Sequence, residues 1–412
     1  MRIQLLALFL FASVSGTALA ADPLVESYLT AGQLAQGETE LTRHLEKRPD
    51  DTQARFGLGA LQFLRAIEGL GQGLHRYGAM GAESRAARML PLVRLPVPEN
   101  PAPEAITYAD FRAILERLVV DLQKAETTLQ GVHDPAVKLP LHFALIRLDL
   151  NADGKAEDDE TLWRIYAELN RGAGLDPQQA GKAADDFVIA FDQGDVHWLR
   201  GYCHLLSALA EMMLAYDEQA LFDVVAPSIF AKPAGAIPAP LLPASAQQFE
   251  ADIADAIAII HLANFPVHDA ERLRSAHRHL QAVIEQSRQS WQAIEAETDD
   301  EREWVPNERQ QGVIPGIRVT RPIIDGWRQF LDEADQLLAG KKLVPHWRGV
   351  QGSGVNLRRV FLEPQRFDLV LWVHGAAAGP YLEQGETTSR ETWQRLAQLF
   401  GGNFIGFAIW FN

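Results

Sequence analysis

The chain has 412 residues, and its formal net charge is −16 at pH 7. This acidic balance argues against a nucleic-acid-binding protein, because phosphates are bound by clustered Lys and Arg. It is compatible with cations or basic partners. A chain of this length buries a large core without cross-links, and its single cysteine, Cys203, excludes an internal disulfide.

The first segment, MRIQLLALFLFASVSGTALAAD, has the organisation of a secretory signal peptide. Arg2 supplies the basic n-region, an apolar run follows, and Ala-Leu-Ala at 18–20 matches an A-x-A cleavage site. The apolar run is too short to cross a membrane, which needs about 20 residues. We therefore expect a signal peptide over residues 1–20, cleavage near Ala20/Ala21, and a periplasmic or secreted mature protein with no membrane span.

Helical periodicity dominates the chain from residue 21 to residue 340, with almost no alternating strand pattern. In the clearest segment, TYADFRAILERLVVDLQKAETTLQG, Thr107 is expected to cap a helix with Asp110 three residues later, and apolar residues line one face. Further helices are predicted at 33–47, 52–67, 137–148, 159–170, 196–219, 246–262, 269–296 and 321–339.

Two proline-rich stretches, 90–105 and 226–245, predict long extended connectors between these helices. After residue 340, the segments FDLVLWVHG and FIGFAIWFN are short, aromatic and β-branched, which predicts a small strand-containing or irregular cap. The predicted organisation is a signal peptide (1–20), N-terminal helical hairpins (21–89), two helical regions (106–225 and 246–340) and a C-terminal cap (341–412).

Near the N-terminus, RPDDTQARFGLGALQF resembles the joint between two tetratricopeptide repeats. Within the predicted hairpin at 33–67, Ala54, Leu58 and Gly59 match that family's pattern, whereas Arg55 replaces its usual aromatic residue. No third unit follows, and solenoids need about three repeats for stability. The alternative is an ordinary helical hairpin with small residues at its crossing.

Residues 149–160, DLNADGKAEDDE, crowd six carboxylates around one glycine. The stretch resembles the calcium loop of the EF-hand family, in which twelve residues wrap one Ca²⁺ ion with oxygen ligands. Gly154 matches the sixth position, where the chain turns sharply. The resemblance implies six ligands: the side chains of Asp149, Asn151, Asp153, Glu157 and Glu160 (the last bidentate), and the backbone carbonyl of Lys155.

The resemblance has two departures. Ala156 at the eighth position replaces the branched apolar residue that normally bridges paired loops, and no second complete loop is present in the sequence. An unpaired loop implies weak affinity, with a Kd of about 10⁻⁴–10⁻³ M. Mg²⁺ is an alternative ion. A solvated acidic turn without metal is a further alternative, because Asp158, Asp159 and Glu160 also suit the first turn of the following helix.

The predicted fold class is therefore mainly α: a multi-helix bundle or hairpin array with one EF-hand-like helix–loop–helix and the small C-terminal cap. The predicted function is that of an exported calcium-binding protein without enzymatic activity, with Ca²⁺ and a protein of the cell envelope as expected partners. The alternative is a hydrolase-like envelope enzyme with a site near His197, His204 and Glu211, which share one helical face. A repeat-type adaptor is the third hypothesis.

Overall fold

The computed structural model describes residues 22–80, 91–169, 187–235, 248–300, 303–313, 318–349, 352–400 and 404–411. Within these ranges the protein is mainly helical with short antiparallel strands, which confirms the predicted mainly α, multi-helix fold with a small strand-containing region. The predicted signal peptide and the second half of the predicted connector at 226–245 lie outside the described residues.

Residues 22–235 contribute two strands and seven α-helices within the described ranges. The helices are α1 (Glu26–Thr30), α2 (Leu34–Lys47), α3 (Thr52–Arg76), α4 (Tyr108–Gln130), α5 (Leu162–Leu169), α6 (Gln193–Leu214) and α7 (Gln219–Val225). The strands are β1 (Leu139–Leu141) and β2 (Ile189–Phe191), which pair antiparallel with Leu139 opposite Phe191.

Residues 248–411 contribute seven more α-helices and five very short strands within the described ranges. The helices are α8 (Gln248–Leu262), α9 (Ala270–Ala296), α10 (Arg321–Leu338), α11 (Leu357–Leu362), α12 (Leu369–His374), α13 (Arg390–Leu399) and α14 (Phe404–Phe411). The strands are β3 (Asn264–Phe265), β4 (Val344–Pro345), β5 (Ser353–Val355), β6 (Phe367–Asp368) and β7 (Leu382–Gln384). They form an antiparallel pair, β3–β6, and a sheet of order β4–β5–β7.

Four of the long helices, α3, α4, α6 and α9, begin after a residue whose side chain caps the helix. Thr107 and Asp110 form a capping box at the start of α4, with the Thr107 amide donating to the Asp110 carboxylate over 2.9 Å. The side chain of Asp269 caps α9 in the same way, accepting from the Glu271 amide over 2.9 Å. The boundaries of these two helices, and those of α2 and α10, lie within one residue of the predicted ones.

The core is built on α3, α4, α6 and α9, which pack against one another in that order. One apolar cluster joins α2, α3 and α4 and includes Leu148 and Leu150, which border the acidic loop. A second cluster in the C-terminal half contains Trp291, Trp327 and Phe411. The acidic loop is therefore attached to the N-terminal core and not to the C-terminal one.

The predicted helix at 137–148 is wrong, and with it the helix–loop–helix arrangement. This segment is extended: β1 is followed by a 3₁₀ turn, Phe143–Leu145, and by a bridge between Arg147 and Thr161. Pro140 has no amide hydrogen to give to a helix, and its strand instead pairs with β2. The loop thus has an exit helix, α5, but no entering helix.

The C-terminal cap contains short strands, as predicted, although its two aromatic segments are mainly helical. FDLVLWVHG contributes only the two residues of β6 before α12 begins, and FIGFAIWF forms α14. Phe411 of α14 lies 4.8 Å from Trp291 and 5.6 Å from Trp327, measured between ring centroids. A short, wholly apolar run is compatible with either a strand or a buried helix, and here aromatic packing favours the helix.

Candidate metal-binding loop

The two ends of the acidic loop, residues 149–160, are tied together by backbone hydrogen bonds. The Leu148 amide donates to the Glu160 carbonyl over 3.1 Å, and the Leu162 amide donates to the Ile146 carbonyl over 2.8 Å. The side chain of Leu148 is fully buried. The base of the loop is therefore fixed to the core although no helix precedes it.

Polar side chains in the first half of the loop turn inward onto the loop's own amides. Asp149 accepts hydrogen bonds from the amides of Asp153 (3.2 Å) and Gly154 (3.0 Å). Asn151 Oδ1 accepts from the Asp153 amide over 2.8 Å, and Asp153 Oδ1 accepts from the Lys155 amide over 2.8 Å. These bonds wind the chain so that the oxygen atoms at positions 1, 3 and 5 are held against the loop.

Glu160 closes the loop from its base and is only 1% exposed. Its Oε1 accepts from the Leu150 amide over 2.8 Å, and its Oε2 accepts from the Glu157 amide over 2.9 Å. Burial raises the pKa of Glu160, and the neighbouring carboxylates of Asp149 and Asp159 raise it further. A cation placed among these carboxylates would reverse that effect, because it favours their charged forms.

The loop backbone contains two residues with positive φ. Gly154 has φ +85°, and an added Cβ at this position would meet nothing within 4 Å, so glycine is favoured here by backbone conformation and not by space. Ala152 has φ +60° and is the only non-glycine residue with positive φ in the described chain. The sharp turn expected at the sixth position is thus present.

Helix α3 contacts the start of the loop through two polar side chains. Glu68 Oε1 accepts a hydrogen bond from the Asp149 amide over 3.0 Å, and Gln72 Nε2 donates to the Asp149 carbonyl over 2.8 Å. Burial raises the pKa of Glu68 to about 7. Glu68 and Gln72 also border a polar cleft of about 310 Å³ between α2, α3 and α4. Nothing in the local sequence around the loop pointed to α3.

The loop's carboxylates are not gathered at coordinating distance. Within the described part of the chain, no three of them bring oxygen atoms to within 4.8 Å of one another. Asp158, which occupies a non-ligand position, is 89% exposed and lies 2.7 Å from Arg147. The predicted ligands therefore have the sequence order and backbone turn of a calcium loop, and closing around an ion would require their carboxylates to move closer together.

A different group of acidic residues, which the sequence did not predict, does bring its carboxylate oxygens this close together. Oxygen atoms of Asp192, Glu297 and Glu303 all lie within 4.8 Å of one another. Lys138 Nζ lies 3.5 Å from Asp192 Oδ2 and 2.8 Å from Asp299 Oδ2, so a cation already stands beside the group. These residues come from separate segments of the chain, which is why no spacing in the sequence revealed them.

One member of this group, Asp192, is the N-cap of α6. Its side chain accepts from the Gly194 amide over 2.8 Å. Asp195 accepts from the Asp192 amide over 3.0 Å, completing a capping box. Burial raises the pKa of Asp195 and, together with Asp192, raises the pKa of Glu297 to about 8.

The three residues of the alternative enzyme site have separate partners along the contact between α6 and α9. His197 Nδ1 lies 2.9 Å from Gln286 Oε1, His204 Nδ1 lies 3.0 Å from His279 Nδ1, and Arg272 donates to Glu211 over 3.0 Å. Burial lowers the pKa of His204 to about 4. These contacts join two helices, and the structure does not converge the three side chains on one point.

No protein-family model, curated protein or solved structure matches the chain. Within the described ranges, no helix combines the length and apolar composition needed to cross a membrane. The candidate site therefore rests on the residues of this chain alone.

Proposed function

We propose that this is an exported, non-enzymatic calcium-binding protein in which residues 149–160 take one Ca²⁺ ion. The observation that carries the proposal is the winding of the loop around a left-handed Gly154: the side-chain oxygens at positions 1, 3 and 5 accept hydrogen bonds from the loop's own amides. The buried carboxylate of Glu160 at position 12 accepts from two further loop amides. A hard cation prefers oxygen ligands of this kind.

Five side chains and one backbone carbonyl would hold the ion. The carboxylates of Asp149, Asp153, Glu157 and Glu160, the amide oxygen of Asn151 and the carbonyl of Lys155 form a donor set made only of oxygen. Such a set suits Ca²⁺ better than transition metals, which favour nitrogen and sulfur. The bound ion would replace repulsion between carboxylates with coordination.

Calcium would order the loop locally more than it would stabilise the whole protein. With a Kd of about 10⁻⁴–10⁻³ M and calcium a few-fold above that value, mass action adds only about 1 kcal/mol to the free energy of unfolding. The ordered loop and α5 would then present a calcium-dependent surface to a protein of the cell envelope. Export to that compartment is proposed from the N-terminal signal sequence.

The test is calorimetric titration of the mature protein with CaCl₂, beside the variants Asp149→Ala and Glu160→Gln. We expect one site in the wild type and at least tenfold weaker binding in both variants, because each loses a ligand at an end of the loop. Asp158→Asn is the matched control, since that exposed side chain pairs with Arg147 outside the ligand set. Identical titrations of all four proteins would exclude the loop as the calcium site. MgCl₂ in parallel identifies the preferred ion.

A further inference from the structure

The loop has no entering helix, and this raises the question of what holds its first ligand in place. In a helix–loop–helix, the residue at position 1 continues a helix whose own hydrogen bonds fix its backbone. Here Asp149 follows an extended segment, and its backbone amide and carbonyl both need partners other than helix neighbours.

Both partners come from one face of α3. Residues 68, 71 and 72 are spaced i, i+3 and i+4, so they lie side by side along the helix. Glu68 accepts from the Asp149 amide over 3.0 Å and Gln72 donates to the Asp149 carbonyl over 2.8 Å. The backbone of Asp149 is thus held on both sides of its Cα atom by side chains that lie 81 and 77 residues earlier in the sequence.

The third residue of this face, Gly71, contacts Leu150, the second residue of the loop. Leu150 is 1% exposed, and its Cδ2 lies 2.5 Å from the position that a Cβ on Gly71 would occupy. The side chain of Leu150 therefore packs directly on the α3 backbone. Hydrogen bonds to Asp149 and apolar contact with Leu150 together dock the start of the loop onto α3.

We propose that Gln72 and Glu68 are positioning residues of the calcium loop. Through them, α3 fixes the backbone of the first loop residue, as an entering helix does in a helix–loop–helix. This inference rests on the proposed function, since it concerns the same site. The two side chains act through Asp149: they hold its backbone so that its carboxylate stays at the first ligand position. They are not themselves ligands.

The anchor matters most when no ion is bound. Asp149 then lies close to the acidic side chains of its own loop, and repulsion favours its movement away from them. A backbone free to move must be ordered again when calcium binds, and this ordering weakens binding. Loss of one hydrogen bond that prevents the movement corresponds to about fivefold weaker calcium binding.

The experiment compares Gln72→Met with Gln62→Met in the full mature chain. Methionine keeps the length of the side chain and removes the amide donor. Gln62 is a matched control on the same helix: it is buried and bonds to Glu38 (3.0 Å) and Thr128 (2.6 Å), away from the loop. For each protein, the calcium Kd is measured by calorimetry and the free energy of unfolding by urea denaturation in EGTA.

We expect Gln72→Met to raise the calcium Kd about fivefold, and Gln62→Met to lower stability while leaving the Kd within twofold of wild type. An unchanged Kd for Gln72→Met, beside normal binding by the wild type, would overturn the inference and leave the proposed function intact. Equal weakening by both variants would also overturn it, because it would reflect general destabilisation. A wild type that gives no binding heat would overturn both proposals.

Discussion

At the scale of single residues, the loop places two left-handed backbone positions close together, and only one of them is glycine. Gly154 adopts φ +85° and Ala152 adopts φ +60°. An L-residue in this region is disfavoured by about 1–2 kcal/mol, because its Cβ approaches the carbonyl oxygen. Gly154 therefore suits its position, whereas Ala152 carries strain that the surrounding hydrogen bonds must hold.

This difference predicts opposite effects for two matched substitutions. Gly154→Ala should lower the free energy of unfolding by about 1 kcal/mol, since the added Cβ meets no neighbour and only the backbone is strained. Ala152→Gly should leave stability unchanged or raise it by up to about 1 kcal/mol, because relief of strain outweighs the greater freedom of glycine in the unfolded chain. Urea denaturation in calcium-free buffer measures both, and a Gly154→Ala variant as stable as the wild type would contradict the argument.

The individual secondary-structure elements show why the loop could be predicted while its support could not. The order of donors and the glycine lie within twelve consecutive residues, so sequence spacing is sufficient to recognise them. The extended segment before the loop is set by pairing of β1 with β2 and of Arg147 with Thr161. These partners are distant in sequence, and the apolar pattern of 137–148 alone favoured a helix.

The docking of the loop on α3 predicts different outcomes for two glycines of that helix. Gly69→Ala should raise the free energy of unfolding by about 0.5–1 kcal/mol, because alanine favours the helix and the nearest atom to its Cβ, Asp121 Oδ2, is 3.9 Å away.

Gly71→Ala should instead lower the free energy of unfolding by about 1–3 kcal/mol, because its Cβ would lie 2.5 Å from Leu150 Cδ2 and 3.2 Å from Leu95 Cδ2. Thermal or urea unfolding of the two variants checks this pair. Similar stabilisation by both would show that Leu150 does not need the space above Gly71.

For the whole molecule, the buried acidic group joins the N-terminal and C-terminal halves of the chain. Asp192 begins α6, while Glu297 and Glu303 follow α9. Gln310 donates to Glu297 over 3.0 Å, and Lys138 pairs with Asp299 beside the group. The pKa values of Asp195 and Glu297 are both raised. Burial and the neighbouring carboxylates therefore favour the protonated forms of Asp195 and Glu297.

This arrangement predicts that stability falls as the pH rises. Burial raises the pKa of Glu297 from 4.5 to about 8, so between these values the folded protein binds a proton that the unfolded chain has lost. The free energy of unfolding then decreases with increasing pH across this window, and the loss is complete above about pH 8. We expect a decrease of about 1–3 kcal/mol between pH 5 and pH 9, measured by urea denaturation at a series of pH values.

Glu297→Gln separates this effect from other titrations. Glutamine resembles the protonated side chain, so the variant should match the wild type near pH 5, exceed its stability near pH 9 and show a flatter pH profile. Glu285→Gln, on an exposed part of α9, is the control that should keep the wild-type profile. A Glu297→Gln profile as steep as that of the wild type would assign the pH dependence to other groups.

The sequence by itself determined the features that depend on neighbours along the chain. The capping box at Thr107 and the apolar periods of α2, α9 and α10 set the helix boundaries, and the order of residues 149–160 defined the candidate calcium loop. Tertiary structure decided what depends on distant contacts: the extended entry to the loop, its anchoring by Glu68 and Gln72, the helix made by the last aromatic segment, and the acidic group around Asp192. The physical reason is that hydrogen bonding and burial between remote segments override weak local preferences, and no spacing within one segment records them.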